Sequence, residues 1–413
     1  MRARRLAARW LIPVEGAPIE HGALLIGPEG RVQAVGPDSS VPRPPDVLAE
    51  DFGNAVILPG LINTHTHLEL TGFAGQIQAR DFPAWIRRLR ELKASREPLE
   101  YVEAAQQGLK ACYAGGVTTI ADTGDSGAAV QVLAESGGSG VAYQEVFGPH
   151  PDQAEASLAG LRDRVAALGR WSGDRVRIGV SPHAPYSVSG PLFSAVAAWS
   201  RSERLPLAVH IAESVAEAEL VANSSGPFAE ALRARGIPLP SASGQSPVAW
   251  LAEHGVLSER TLCIHAVQVD PLDIERLADS GAAVAHCPLS NQAHRHGAAP
   301  LGTMLRAGIR VGIGTDSEVS VGPLDMLAEA RAVRSLVRLS ADAVIELCTL
   351  GGARALSLVG ETGSLRSGKW GDCAVIRVRE SGEESSPAEL VLASSPTDVR
   401  LTCLGGRDVY RAL

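Results

Sequence analysis

The 413-residue sequence predicts a (β/α)8 barrel that carries a small β-sandwich unit built from both chain ends. Three observations predict it. Short apolar runs alternate with helix-compatible stretches through the middle of the chain. Residues with metal-ligand chemistry close several of those runs. Both ends instead show Gly-rich, turn-separated strand patterns with no helical period.

The segments LAARWLIPV and GALLIGPEGRVQAVG, followed by the Pro-rich loop VPRPPD, read as short strands within residues 1–55. The first has basic residues ahead of an apolar stretch, as a signal peptide does. That stretch is short, contains Arg9 and Trp10, and precedes no small-residue cleavage site, so a first strand is the better reading. No segment approaches the ~18 consecutive apolar residues that a membrane span requires. The other end, about 360–413, mirrors the beginning with TGSLRSGKWGDCAVIRV and VRLTCLGGRDVYR. A composite domain from 1–55 and 360–413 is therefore expected, with the barrel over 56–359. Within the C-terminal part, the Ser-rich stretch 380–396 reads as an exposed loop.

Between the ends, candidate strands close near Asn63, Asp122, Glu145, His183, His210, His265, His286 and Asp316, which makes eight. Helix-compatible stretches such as Tyr101–Ala114 and Gln153–Leu168 separate most of them. Parallel barrel strands are buried on both faces, so they read as continuous apolar runs rather than alternating ones. Val56–Ile62, Leu207–Val209, Leu262–Ile264 and Val311–Ile313 are such runs. Residues 221–248, after strand five, are longer than a usual barrel connection and are expected over its mouth.

Composition narrows the class. Hydrophobic content of 45% and charged content of 20% are ordinary for a soluble globular enzyme. A net charge of −8, with no basic run beyond the first residues, argues against a nucleic-acid surface. The six cysteines are scattered without a C-x-x-C pair, and Cys263, Cys287 and Cys373 lie in apolar runs. Buried free thiols and a cytoplasmic location are expected.

The chemistry-bearing residues close strands. His65 and His67 end LPGLINTHTH, His210 ends LAVH, His265 ends TLCIH, and Asp316 follows VGIGT. A lone histidine beside an apolar strand is ordinarily a core or surface residue, and H-x-H alone is a weak signal. The ordered set is stronger, because a (β/α)8 barrel builds its active site at the C-terminal ends of its strands. Three imidazoles and a carboxylate suit a borderline divalent cation such as zinc or iron, with water as a further ligand. The set implies a metal-dependent hydrolase.

PGLINTHTHLE, HIAES, His265, SNQ and GTDS in combination resemble the amidohydrolase superfamily. The resemblance is to the branch holding adenosine-type, guanine and S-adenosylhomocysteine deaminases and the triazine hydrolases. It spans nearly the whole chain and implies one divalent cation, zinc before iron or manganese, on His65, His67, His210 and Asp316. It also implies that His265 orients the attacking water and that ammonia leaves a 6-aminopurine. Asp316 can take the water's proton, and Glu213, three residues past His210, can pass one to a ring nitrogen. Strand four ends in Ser181-Pro182-His183-Ala184-Pro185, without the Lys or Glu that bridges two metals in binuclear relatives. His183 matches a substrate-contacting position, and Trp85, Glu145, Ser290 and Asn291 are further candidates for substrate contact.

S-adenosylhomocysteine deaminases carry an acid just before a Trp, where it clasps ribose hydroxyls. Here Ala84 precedes Trp85, and Asp81 is the nearest acid. HTHLEL, F-x-x-W-I, YQEVFG and SPHAPYSVS are more similar to the aminodeoxyfutalosine deaminases of the alternative menaquinone pathway. That likeness implies a nucleoside with a benzoate-type arm and hence a pocket cation, for which Arg87, Arg88 and Arg295 are candidates by position. His294 and His296 read first as solvated loop histidines, with substrate or second-metal contact as the alternative. The partner expected is a small purine nucleoside, with no nucleic acid and no membrane; relatives of this kind are often homodimers. The competing readings are another purine deaminase, a dechlorinating or amide-opening hydrolase, and a non-catalytic metal-binding barrel.

Overall fold

The computed structural model describes residues 2–379 and 385–412. Eight parallel strands pair in sequence order: β1 (Leu61–Thr66), β2 (Val117–Gly124), β3 (Gly140–Val146), β4 (Val176–Pro182), β5 (Leu207–Ile211), β6 (Thr261–His265), β7 (Ala283–His286) and β8 (Arg310–Ile313). A bridge between Thr66 and Asp316 closes the ring. The amides of Thr315 and Asp316 both donate to the His65 carbonyl there. A Cβ at Gly314 would lie 2.8 Å from the Cβ and N of His65, so glycine lets the last strand approach the first. The eight expected strand ends fall within three residues of the observed ones. Helices such as α1 (Phe82–Ala94) and α2 (Pro98–Ala114) surround the barrel, and α2 presents Leu109 and Cys112 to its apolar outer face.

The run Val56–Ile62, expected as one strand, is two. Ala55–Pro59 pairs with Cys373–Arg377 and with Arg4–Leu11 in the terminal sheet, whereas Leu61 onward belongs to the barrel. The break falls at Pro59-Gly60. Proline cannot continue a ladder as a donor, and a Cβ on Gly60 would lie 2.1 Å from Thr118 Oγ1.

Both chain ends build one mixed sheet of eight strands. Its order is Arg407–Arg411, Val399–Leu404, Cys373–Arg377, Ala55–Pro59, Arg4–Leu11, Ile19–Ile26, Val32–Pro37, with Leu48–Asp51 pairing to Arg4–Leu11. Leu6, Leu24, Ile57, Val375 and Leu401 form its separate apolar core. The composite β unit read from the sequence is thus present.

Two loop readings need correction. Of the stretch 380–396, residues 380–384 lie outside the described residues, and Pro387–Leu392 is a helix rather than an exposed loop. Ser386 caps it by accepting from the Glu389 amide at 3.2 Å, and Ala388, Val391 and Leu392 are buried. The polar lead-in masks a short amphipathic turn. Residues 221–248 are not a bare loop either, because Gly226–Ala234 is a helix whose Phe228, Ala229 and Leu232 pack with Tyr186 and Leu220. All six cysteines are buried and free. Among the described residues, no helix is long and apolar enough to cross a membrane.

Candidate active site

The C-terminal strand ends bring the expected ligand set together. His65 and His67 Nε2 each lie 3.6 Å from Asp316 Oδ1, and His210 Nε2 lies 3.3 Å from His67 Nε2. Local backbone aims these groups. Asp316 and His265 adopt φ of +62° and +73°, and Ala212, just beyond His210, adopts +51°. Such left-handed conformations cost a non-glycine residue about 1–3 kcal/mol and redirect a side chain at a strand end.

Neighbours then fix His67, His210 and Asp316. Asp122, from the end of β2, accepts from Thr66 Oγ1 at 2.9 Å and from the Leu68 amide at 2.6 Å, clamping the chain on both sides of His67. His210 Nδ1 donates to the His183 carbonyl at 3.2 Å, which leaves Nε2 as a lone pair. Asp316 accepts from Ser290 Oγ at 2.5 Å and from the Ser317 amide at 2.6 Å.

The donor set fits a divalent cation. Both ring nitrogens of buried His65 lack a hydrogen-bond partner. Burial lowers the imidazole of His67 to about 3 and holds His65 and His210 down, so all three are neutral donors. Burial pushes the Asp316 carboxyl up, but the His65 ring that faces it outweighs this and holds it well below its ordinary value. Neutral imidazoles around a carboxylate are what a borderline cation requires.

Glu213 faces this set from the loop after β5. The amides of Ala212 and Glu213 donate to the Glu217 carboxylate at 2.8 and 3.0 Å, which pins the loop. Sequence reading missed Glu217, although S-x-x-E over 214–217 carries a helix-start signal. Glu213 Oε1 lies 3.6 Å from His265 Nε2 and 3.3 Å from His296 Nε2. His265 Nδ1 donates to Asn291 Oδ1 at 3.0 Å. Burial raises the Glu213 carboxyl, yet the two imidazoles outweigh it and hold it below its ordinary value.

A cavity of about 760 Å³ opens from this floor. His67, Glu145 and His183 line its base, Phe147, Tyr186, Phe228 and Leu232 its apolar walls, and Arg87, Arg90 and Arg235 its outer part. None of these three guanidinium groups has an ion-pair or hydrogen-bond partner among the described residues. Of the cations expected, Arg87 is in the cavity lining, exposed as Arg90 and Arg235 are. Arg88 is not in that lining, because the next residue on a helix turns away from its neighbour's face; it is exposed and pairs with Glu91. Arg295 is exposed and outside the cavity lining.

Glu145 Oε1 lies 4.0 Å from His210 Nδ1, and Glu145, His183 and His210 form a further group with metal-ligand spacing. Burial raises the Glu145 carboxyl well above its ordinary value. Trp85 stacks on Phe82 at 5.9 Å and meets His294 edge-on at 4.6 Å, outside the cavity lining. Asp81 caps α1 by accepting from the Ala84 amide at 2.9 Å. His294 and His296 are not solvated: His294 is half-buried, and His296 is buried against Phe82, with ring centroids 4.5 Å apart. Lys93, which sequence reading missed, reaches the cavity from α1 and bonds Glu69 at 2.8 Å and Asp125 at 2.6 Å.

Comparison with known proteins gives the lineage. A sequence model of the amidohydrolase family matches residues 56–409. A 5-methylthioadenosine/S-adenosylhomocysteine deaminase of Syntrophobacter fumaroxidans is 30% identical over 95% of this chain and 89% of its own length. An aminodeoxyfutalosine deaminase of Deinococcus radiodurans is 32% identical over 86% of this chain and 85% of its own. Among solved structures, an adenosine deaminase from Xanthomonas campestris with bound zinc superimposes with a TM-score of 0.84. It is 23% identical, covering 98% of this chain and 92% of that one.

Proposed function

The chain belongs to the amidohydrolase family, and from that premise we propose a hydrolytic deaminase of a 6-aminopurine nucleoside whose arm ends in a carboxylate, an aminodeoxyfutalosine-type substrate. The family makes it a metal-dependent hydrolase acting on C–N bonds. The observation that carries the finer reading is the cavity itself. Its base is lined by His67, Glu145 and His183 beside the histidine–carboxylate set, its walls are apolar, and arginines without ion-pair partners stand where a carboxylated aromatic arm would end. The futalosine route to menaquinone is the place this reading gives the reaction. The likeness to relatives named for deaminases of 5′-substituted adenosines supports it.

In this reading His65, His67, His210 and Asp316 hold one cation, with zinc the best match and iron or manganese accepted by the same donors. When bound, the cation supplies the Lewis acidity that makes water acidic near neutral pH. Glu213, ionised and buried, would take a proton from the attacking water and pass it to the purine N1 as oxygen adds to C6. His265, oriented by Asn291, faces the charge that develops on oxygen. Ser290 keeps Asp316 turned towards the same point. The C6–N bond then breaks as Asp316 relays the remaining proton of the added oxygen to the amino group, which leaves as ammonia, and the ring keeps a 6-oxo group. Glu145 and His183 border the sugar, Trp85 supports the wall through Phe82, and Arg87, Arg90 and Arg235 meet the carboxylate. The reaction belongs to the barrel that begins at Leu61, and the composite unit from both ends, which takes in Ala55–Pro59, braces it.

Ultraviolet-monitored deamination tests the substrate class. Metal-loaded enzyme is expected to show kcat/KM at least tenfold higher for aminodeoxyfutalosine than for S-adenosylhomocysteine, methylthioadenosine, adenosine or guanine. Preference for one of the others keeps the chemistry and replaces the arm.

A further inference from the structure

The segment after β7 reaches three reacting-centre groups at once. Ser290 Oγ donates to Asp316 Oδ2 at 2.5 Å. Asn291 accepts from His265 Nδ1 at 3.0 Å, and its carbonyl accepts from the His296 amide at 2.9 Å. His296 then stands with Nε2 3.3 Å from Glu213 Oε1, within ion-pair distance, and that buried nitrogen makes no hydrogen bond among the described residues. Its ring is held by Phe82, edge-on at 85°, and its carbonyl accepts from Gln268 Nε2 at 2.5 Å. A loop histidine buried to 7% exposure and braced on both sides is built to point one way.

We infer that His296 is the positioning residue for Glu213: it holds Oε1 and so assigns Oε2 as the oxygen that carries the proton to the purine. Both imidazoles converge on Oε1, and Oε2 has no partner among the described residues. A carboxylate swinging about its terminal bond presents either oxygen, and a donor on one of them removes that freedom. Glutamine at position 296 presents an amide N–H to the same oxygen, whereas alanine leaves a gap beside Phe82 and no donor. The assignment rests on the deaminase reading for its rate effect, but the His296–Glu213 contact itself does not.

Two measurements on the full-length protein separate these. In the first, kcat and KM are compared for wild type, His296→Ala and His296→Gln at equal metal content. The expected result is a kcat at least tenfold lower for His296→Ala, KM within about threefold, and recovery of most of the kcat by His296→Gln. An unchanged kcat, or a raised KM alone, overturns the assignment, since a raised KM alone marks a substrate contact. In the second, the His296 ring-nitrogen signals of histidine-labelled, metal-free protein are followed by NMR on making Glu213→Gln. A clear shift is expected, and signals that stay in place overturn the contact whatever the activity. If the wild type deaminates no nucleoside while the signals do shift, the positioning stands and the deaminase reading fails.

Discussion

Replacing Glu213 with glutamine keeps the length and the acceptor that His265 and His296 face, but removes the group that carries the proton. The side chain is 4% exposed, so bulk water does not take over the role. General acid–base catalysis by a positioned side chain contributes about 10²–10⁴-fold. That range corresponds to about 2.7–5.4 kcal/mol of barrier at roughly 1.36 kcal/mol per decade. Glu213→Gln should therefore lower kcat by two to four decades. Metal content should stay at the wild-type level, because no expected ligand is touched. The melting temperature should move by only a few degrees, since a buried charge is exchanged for an isosteric amide. Stopped or continuous ultraviolet assays read the rate, and elemental analysis reads the metal. Activity within about threefold of wild type, at full metal content, refutes the proton-transfer role of Glu213. Loss of metal along with activity refutes its separation from the ligand set.

Three further outcomes follow from the surrounding packing. Asp122→Ala leaves Thr66 Oγ1 and the Leu68 amide without their acceptor, so metal affinity should fall about 10–100-fold in a chelator competition. Lys93→Met strands the buried Glu69 carboxylate and should cost about 3–5 kcal/mol in denaturant unfolding at neutral pH. Burial raises the Glu69 carboxyl, but Lys93 outweighs it and holds it near 2 against an ordinary 4.5. The pair's contribution is therefore full above about pH 4.5 and lost as pH falls towards 2, and Lys93→Met should narrow its deficit to wild type over that window. Arg87→Gln with Arg90→Gln should raise KM for a carboxylated nucleoside and flatten its dependence on ionic strength. Adenosine, without that carboxylate, should show neither change; an equal change for adenosine removes the arginines from arm recognition.

The barrel was legible because its period is written in whole strands. Continuous apolar runs such as Leu262–Ile264 admit burial on both faces, and His65, His210, His265 and Asp316 each close one. What misled was context that no local pattern carries. Val56–Ile62 is apolar throughout, so its split between two sheets depends on how closely Gly60 meets Thr118. His296 looks like a polar loop residue until the segment after β7 folds back onto Glu213, 83 positions earlier in the chain. Lys93 and Arg90 sit in a helix rich in basic residues, and only its docking separates those lining the cavity from Arg88, which pairs with Glu91. Asp81 looked like a stand-in for a ribose-binding acid, but the start of α1 uses it as a cap.

Ammonia release by the metal-loaded enzyme tests the central claim most directly. A nucleoside carrying a 6-amino group should yield one ammonia per 6-oxo product, and a chelator should abolish the yield until zinc, iron or manganese is restored. A chloride or ring-opened product from a triazine or amide substrate, with no ammonia from any purine nucleoside, would contradict it.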